Sequence, residues 1–278
     1  MNKTTSEGIE STSVRPIYNK EGIFKICLAA ISATFAVFTG IFFSMSFDIE
    51  TMYFENASGA YILGGAVAIC IAITTLISVI LKAKLAPARC KCATILQYLS
   101  GITLFLLFLQ SVIDNNLWLV IFSFVATAYF IGLFNKHHIV NTVLGIGACI
   151  FLATTIAQTY FDYSISVNSP YKLLCQFGIA ISMLLIAGEL KFDLGGGNPA
   201  MYKLVCALTF ILNTSATAGS VALAISGAQN INYCFIPCVA MTIYSAKIFF
   251  ARPNIPTLTN NAETIPDEKG KDTDEIVN

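Results

Sequence analysis

The sequence predicts an all-α integral membrane protein in which eight transmembrane helices form one bundle. Hydrophobic residues make up 56% of the 278 residues and charged residues only 12%, about half the charged share of a typical soluble domain. Eight apolar runs are each long enough to cross about 30 Å of hydrocarbon, which takes roughly 20 helical residues. The basic residues are also sorted between alternate loops, as expected when each run crosses the bilayer once.

The eight predicted spans are separated by short polar connections. They cover residues 23–46, 60–81, 94–113, 117–135, 139–160, 171–190, 204–227 and 231–250. The first run is longer than the apolar region of a signal peptide and no small-x-small cleavage site follows it, so we predict a retained helix. The resulting organisation is a flexible cytoplasmic N-terminus (1–21), two four-span units (22–135 and 136–250) and a disordered cytoplasmic C-terminal tail (251–278).

Lysine and arginine predict the orientation of the bundle. With a cytoplasmic N-terminus, every basic residue except Lys172 falls on the inner side, as the positive-inside rule requires. Both termini are therefore predicted to be cytoplasmic in a multi-pass protein of the plasma membrane. Asn56-Ala57-Ser58 matches a glycosylation acceptor, but this tripeptide is common by chance, and we expect a bacterial membrane.

Two inner linkers share a pattern that indicates an internal duplication. Residues 81–91 and 190–203 both begin Leu-Lys-x-x-Leu and both end Pro-Ala-x-x-Lys. Four spans in each copy would give the copies the same orientation, a parallel repeat of the kind found in some transporters. The alternative is a coincidence within a restricted apolar alphabet.

The seventh span carries the most polar segment near the bilayer centre. Asn213 lies nine residues after the start of this span, or roughly 14 Å along a helix, and Thr214 and Thr217 follow it. These side chains either form interhelical hydrogen bonds in a tight bundle or line a path for a polar solute. The second interpretation makes them candidate substrate-path residues.

Three glutamines extend this candidate path towards the outside. Gln110, Gln158 and Gln176 fall in the outer halves of the third, fifth and sixth spans. They could line an outward vestibule, or each could bond within the bundle. We group them with the seventh-span residues as a hypothetical substrate path.

Charged residues flank a glycine triplet between the sixth and seventh spans. Gly195–Gly197 lacks both the P-loop and the dinucleotide-binding spacings, so we do not predict a phosphate site. Glu189, Lys191, Asp193 and Lys203 surround the triplet near the inner membrane surface. They form a hypothetical inner gate, with a plain hinge between two helices as the alternative.

The remaining polar residues do not suggest catalysis or metal binding. Lys25 and Lys247 lie close to the inner surface, where we expect their side chains to reach water along their own stems. Cys90-Lys91-Cys92 and His137-His138 are two short pairs in different loops, whereas a zinc site needs about four converging ligands. We therefore expect no enzyme activity, no bound metal and no cofactor.

Two functional classes remain after these exclusions. The first is a small permease or facilitator for a polar or amphipathic solute. The second is a non-transporting accessory subunit or sensor whose tails or short loops contact protein partners. The expected partners are the lipid bilayer, a small-molecule solute and a protein at the tails, and no nucleic acid.

Overall fold

The structure is a computed structural model that describes most of the chain between residues 20 and 251. The described residues are 20–48, 50–56, 58–81, 85–88, 90–132, 137–162, 169–227 and 232–251. The two predicted terminal segments lie almost entirely outside these residues.

The described part of the chain contains eight α-helices, which confirms the all-α class. These are α1 (Lys20–Ser46), α2 (Ser58–Leu81), α3 (Lys91–Ile113), α4 (Leu117–Ile131), α5 (His138–Phe161), α6 (Pro170–Asp193), α7 (Pro199–Ile225) and α8 (Asn232–Ser245). A short 3₁₀ helix, Ala246–Phe250, continues α8. A two-residue antiparallel hairpin, β1 (Phe47–Asp48) and β2 (Tyr53–Phe54), joins α1 to α2.

Six of the helices are long and apolar enough to cross a membrane: α1, α2, α3, α5, α6 and α7. Helix α4 has 15 residues, or about 22 Å at 1.5 Å per residue, and the apolar segment Phe235–Phe250 is also shorter. Large hydrophobic side chains cover the outside of the bundle, with Ile26 and Trp118 each 72% exposed. An apolar surface of this extent is unfavourable in water and indicates insertion into a membrane.

Helix α7 is the centre of the bundle. It packs along α1, α6 and α8, while α3, α4, α5 and α6 pack side by side in sequence order. Helix α8 fills the space between α3, α6 and α7, and α2 packs mainly on α1 and α7. The most buried side chains therefore belong to α6, α7 and α8.

The structure does not confirm the predicted repeat. Corresponding helices have similar lengths, since α2 and α6 both have 24 residues and α4 and α8 have 15 and 14. Their packing differs, because α6 packs extensively along α7 whereas α2 has little contact with α3 in the described residues. A two-fold relation between the halves would make the α2–α3 contact equivalent to the α6–α7 contact.

Local sequence signals set the helix ends that surround the site. Helix α4 ends at Ile131 and is capped by Gly132, whose φ of +69° is a left-handed conformation that favours glycine, so α4 stops before the predicted boundary at residue 135. Helix α7 begins with Pro199 after Asn198, whose side chain accepts from the amides of Ala200 and Met201. The ends of α4, α6 and α8 and the beginnings of α3, α5 and α7 meet at one end of the bundle, which we call the inner end.

Candidate functional site

A buried carboxylate lies at the inner end of the bundle. Lys247 Nζ lies 2.6 Å from Glu189 Oε1 and 2.7 Å from Oε2. The Tyr202 hydroxyl donates a hydrogen bond to Oε1 at 3.1 Å, and the Tyr244 hydroxyl donates one to Oε2. Glu189 and Lys247 are only 8% and 5% exposed. Both oxygens of the carboxylate are therefore occupied by charged or polar hydrogen-bond donors.

The helix ends explain how these four residues meet. Glu189 is one turn from the end of α6, and Tyr202 is in the first turn of α7. The rings of Tyr202 and Phe192 pack edge to face with their centres 5.5 Å apart. Tyr244 is at the end of α8 and Lys247 follows three residues later in the 3₁₀ continuation, so the two side chains lie on the same side of this segment. The Lys247 ammonium lies 3.5 Å from the centre of the Tyr244 ring, a cation–π contact.

Glu189, Tyr244 and Lys247 form part of the wall of a cavity of about 260 Å³. The cavity is lined by Pro87, Ala88, Thr94, Gln97, Tyr129, Asn141, Glu189, Asp193, Tyr244 and Lys247. The volume lies just below the roughly 300 to 1,000 Å³ of typical small-molecule sites. The cavity can therefore hold a small solute of a few heavy atoms.

Amide side chains complete the polar wall of this cavity. The Gln97 amide donates to the Tyr129 carbonyl oxygen at 3.4 Å, which connects α3 to the end of α4. The Asn141 amide donates to Asp193 Oδ2 at 3.1 Å, which connects α5 to α6. The polar residues of the wall thus comprise two carboxylates, one ammonium, two amides and three hydroxyl-bearing residues, Thr94, Tyr129 and Tyr244.

The four residues of the predicted inner gate do not meet at one place. Glu189 and Asp193 are four residues apart on one face of α6 and line the cavity. Lys191 points to the opposite face and lines a separate, largely apolar groove of about 340 Å³ between α6 and α7. Lys203 is 1% exposed and donates to the Ser78 carbonyl oxygen of α2 at 2.6 Å. Helical geometry separates these residues although they are close in sequence.

Asn213 connects two helices. Its amide nitrogen donates to Gly178 O at 3.1 Å and Ser182 Oγ at 3.0 Å, both on α6, and to Thr209 O at 2.9 Å in its own helix. The side chain is fully buried, and its amide oxygen has no hydrogen-bond partner among the described residues. The geometry is that of an interhelical hydrogen bond in a tight bundle.

The other predicted path residues lie apart from the cavity. The Thr214 hydroxyl bonds to the Phe210 carbonyl oxygen of its own helix, and the Thr217 hydroxyl lies 3.4 Å from that of Thr242 on α8. Half-buried glutamines occupy the outer halves of three different helices: Gln110, Gln158 and Gln176. None of the six path residues, Asn213 included, lines the cavity at Glu189.

Sequence reasoning identified Glu189 but missed its partners. Lys247 was expected to reach water along its stem, and the structure instead buries its ammonium against Glu189. Tyr129, Tyr202 and Tyr244 carried no motif. The topology nevertheless contained a signal for the pair. It puts Glu189, Lys247 and the three tyrosines close to the inner membrane surface, where a carboxylate and an ammonium on neighbouring helices can pair.

The site offers proton donors, proton acceptors and charges but no recognisable metal centre. Within the described part of the chain no three His, Cys, Asp or Glu side chains are grouped closely enough to hold an ion. Comparisons with protein-family models, with curated proteins and with solved structures gave no match. The functional inference therefore depends on the chemistry of the cavity.

Proposed function

We propose that this protein is an eight-span permease or facilitator that moves a small polar solute through the plasma membrane of a bacterium. The cavity at Glu189 is the solute site and opens to the cytoplasm, where the sorting of lysine and arginine also puts both termini. The six long apolar helices support membrane insertion. Helices α4 and α8 complete the eight spans in this proposal, because local thinning of the bilayer accommodates short helices at modest cost.

The observation that carries the proposal is the buried Glu189–Lys247 pair on the wall of an open cavity. Taking two charges out of water is expensive, and apolar side chains of similar volume often stabilise a protein as well or better. Charged side chains within membrane bundles accordingly mark ligand and ion pathways more often than packing sites. A bundle selected only for stability has no need for this pair or for the cavity beside it.

The route beyond the cavity requires helix movement. Asn213 bonds α6 to α7, and Thr217 lies against Thr242 at the contact between α7 and α8. A solute that leaves the cavity towards the outside has to separate these helices, as in transporters that expose a central site alternately to the two sides. In this scheme Gln110, Gln158 and Gln176 are reached only in the outward-open state.

The test is solute uptake into proteoliposomes. A panel of radiolabelled amines, amino acids, sugars and small carboxylates is compared for the native chain, Glu189→Gln and Lys191→Gln. Lys191 is a matched control because it is a charge on the same helix that faces away from the cavity. We expect uptake of one solute class, its loss in Glu189→Gln and its retention in Lys191→Gln.

The second candidate is a non-transporting accessory subunit or sensor that binds a protein through its cytoplasmic tails. The α6–α7 contact at Asn213 favours it, because the Asn213 amide bonds these two helices to each other in the middle of the bundle. Two outcomes of the uptake assay would favour this candidate over the permease. One is that no solute is taken up faster than by protein-free liposomes. The other is that the native chain and Glu189→Gln take up solute equally.

A further inference from the structure

We propose that the cavity at Glu189 binds small primary ammonium compounds, and that the ligand's ammonium group replaces that of Lys247 on the Glu189 carboxylate. The inference deepens the proposed permease function by naming the solute class, and for transport it rests on that function. Lys247 is then a tethered occupant of the ligand site.

The position of Lys247 Nζ has the features of an ammonium receptor. Two carboxylate oxygens lie within 2.7 Å of the nitrogen, and the face of the Tyr244 ring lies 3.5 Å from it. A carboxylate combined with an aromatic face is a favourable environment for an ammonium group. The hydroxyls of Tyr202 and Tyr244 donate to the same carboxylate and hold it in this orientation.

Lys247 is attached to a segment that can release it. The α-helix ends at Ser245, and Lys247 lies in the 3₁₀ continuation, where hydrogen-bond geometry is poorer than in an α-helix. The Ser245 hydroxyl donates to Met241 O and Thr242 O, a local competition that weakens or bends helices. The lysine stem has four flexible carbons, so its ammonium can leave Glu189 without moving α8.

The cavity provides room for the exchange. It borders both Glu189 and Lys247, and its volume of about 260 Å³ suits a ligand of a few heavy atoms. Asp193, whose Oδ2 accepts from Asn141, lines the same cavity one turn after Glu189, so a second carboxylate borders the space next to Lys247. No covalent step is involved, because one ammonium replaces another.

The same geometry excludes other ligand charges. The carboxylates of Glu189 and Asp193 on the cavity wall repel an anionic ligand. A quaternary ammonium has no N–H group and cannot replace the hydrogen bonds that Lys247 donates to Glu189. A primary ammonium satisfies both the charge and the hydrogen bonds.

The test is chemical rescue of a Lys247→Ala variant. The detergent-purified variant is heated in ethylammonium chloride, tetramethylammonium chloride or potassium chloride at equal ionic strength. We expect only ethylammonium to raise the unfolding temperature, by about 5 to 10 °C at a hundredfold excess over its Kd, with a further rise that follows the logarithm of its concentration. The double variant Glu189→Gln/Lys247→Ala should lose this response, because the carboxylate is gone.

A second variant covers the case in which Lys247→Ala does not fold. Lys247→Gln keeps an N–H donor for Glu189 but leaves the charge unbalanced, so ethylammonium should stabilise it as well. If whichever of these variants folds responds to ethylammonium only as it does to potassium chloride, the proposal is overturned.

The uptake assay separates this inference from the permease proposal. If ethylammonium rescues the Lys247 variants but the native chain takes up neither labelled methylammonium nor any other solute, the ammonium site is supported and the permease proposal is contradicted. If the native chain takes up a solute that has no ammonium group and the Lys247 variants are not rescued, the permease proposal is supported and the ammonium site is contradicted.

Discussion

The ammonium of Lys247 lies 2.6 and 2.7 Å from the two carboxylate oxygens of Glu189, a residue 58 positions earlier in the chain. The pair connects α6 to the segment that continues α8. Because both side chains are almost fully buried, loss of either partner leaves the other as an uncompensated charge inside the bundle. This relationship determines how substitutions at the site should behave.

Substitutions of the two partners should be strongly non-additive. We expect Glu189→Gln and Lys247→Met each to lower the free energy of unfolding by about 3 to 5 kcal/mol, because each leaves a buried charge unpaired. The double variant should lose much less than the sum, since it leaves neither charge. The measurement is denaturant unfolding in micelles, with Lys191→Gln as control. Additive losses would mean that the two residues do not interact.

Removal of one tyrosine hydroxyl should have a smaller effect. Tyr202→Phe and Tyr244→Phe each delete a hydrogen bond to a carboxylate, and such bonds to charged groups contribute about 1.5 to 3 kcal/mol. The ring of Tyr244 that contacts Lys247 stays in place. Unfolding in micelles should show both losses, and Tyr98→Phe, at an exposed position on α3, should show none. No loss in either site variant would contradict the described hydrogen bonds.

Asn213 should contribute to stability and not to solute binding. We expect Asn213→Ala to cost about 1 kcal/mol of unfolding free energy, typical of interhelical hydrogen bonds in membranes, and to leave the ethylammonium rescue of a Lys247→Ala background unchanged. Ser215→Ala is the control, because the Ser215 hydroxyl donates within its own helix, to the Ile211 carbonyl oxygen. A weaker rescue in the Asn213 variant would instead couple this residue to the cavity.

Substitution by alanine should have opposite effects on stability at two glycines. A Cβ at Gly101 would lie 2.7 Å from a side-chain carbon of Ile131 and 3.0 Å from its backbone nitrogen, so α3 and α4 would have to separate. We expect Gly101→Ala to destabilise the fold by about 1 to 3 kcal/mol. Gly64 on α2 has open space around this position, and Gly64→Ala should be neutral or stabilising by up to about 1 kcal/mol. Thermal unfolding of both variants in one detergent makes the comparison.

The eight-span topology requires α4 to cross the bilayer. Asp114 and His137 are exposed residues on either side of this helix. We expect an impermeant maleimide to label Asp114→Cys on intact cells and His137→Cys only after permeabilisation, each measured against the unsubstituted chain. Labelling of both from the same side would reduce the number of spans and reverse the orientation of the helices on one side of α4.

The predicted helix positions agree with the structure because long apolar runs are unambiguous signals. The helix ends were less accurate where apolar residues continue past a backbone signal. Leu133 and Phe134 extended the fourth predicted span, whereas the left-handed Gly132 ends α4. The seventh apolar run begins at residue 204, whereas α7 begins at Pro199 after Asn198, a standard helix start that precedes the apolar run. Hydropathy alone does not register either signal.

The candidate site was only partly predictable for a different reason. Glu189 was identified because a carboxylate near a span is unusual, and its partners come from α7 and α8, whose rotation about their axes hydropathy does not fix. The same uncertainty applies to Lys191 and Lys203, which lie near Glu189 in sequence and face other surfaces. Asn213 was identified as a polar residue of the seventh span, with interhelical bonding and a solute path both left open, and the structure shows that its amide bonds to α6.

The order of synthesis gives the Glu189–Lys247 pair a further consequence. Lys247 lies 58 residues after Glu189, so when helices enter the membrane in chain order the carboxylate of α6 is inserted before its counter-ion has docked. A charged residue costs about 2.5 to 3.5 kcal/mol at the centre of an inserting helix, and much less near an end, where it reaches water. Glu189 lies one turn from the end of α6, where this cost is tolerable. The carboxylate becomes enclosed only when α8 docks, so the assembly of the site is delayed until that helix has been inserted.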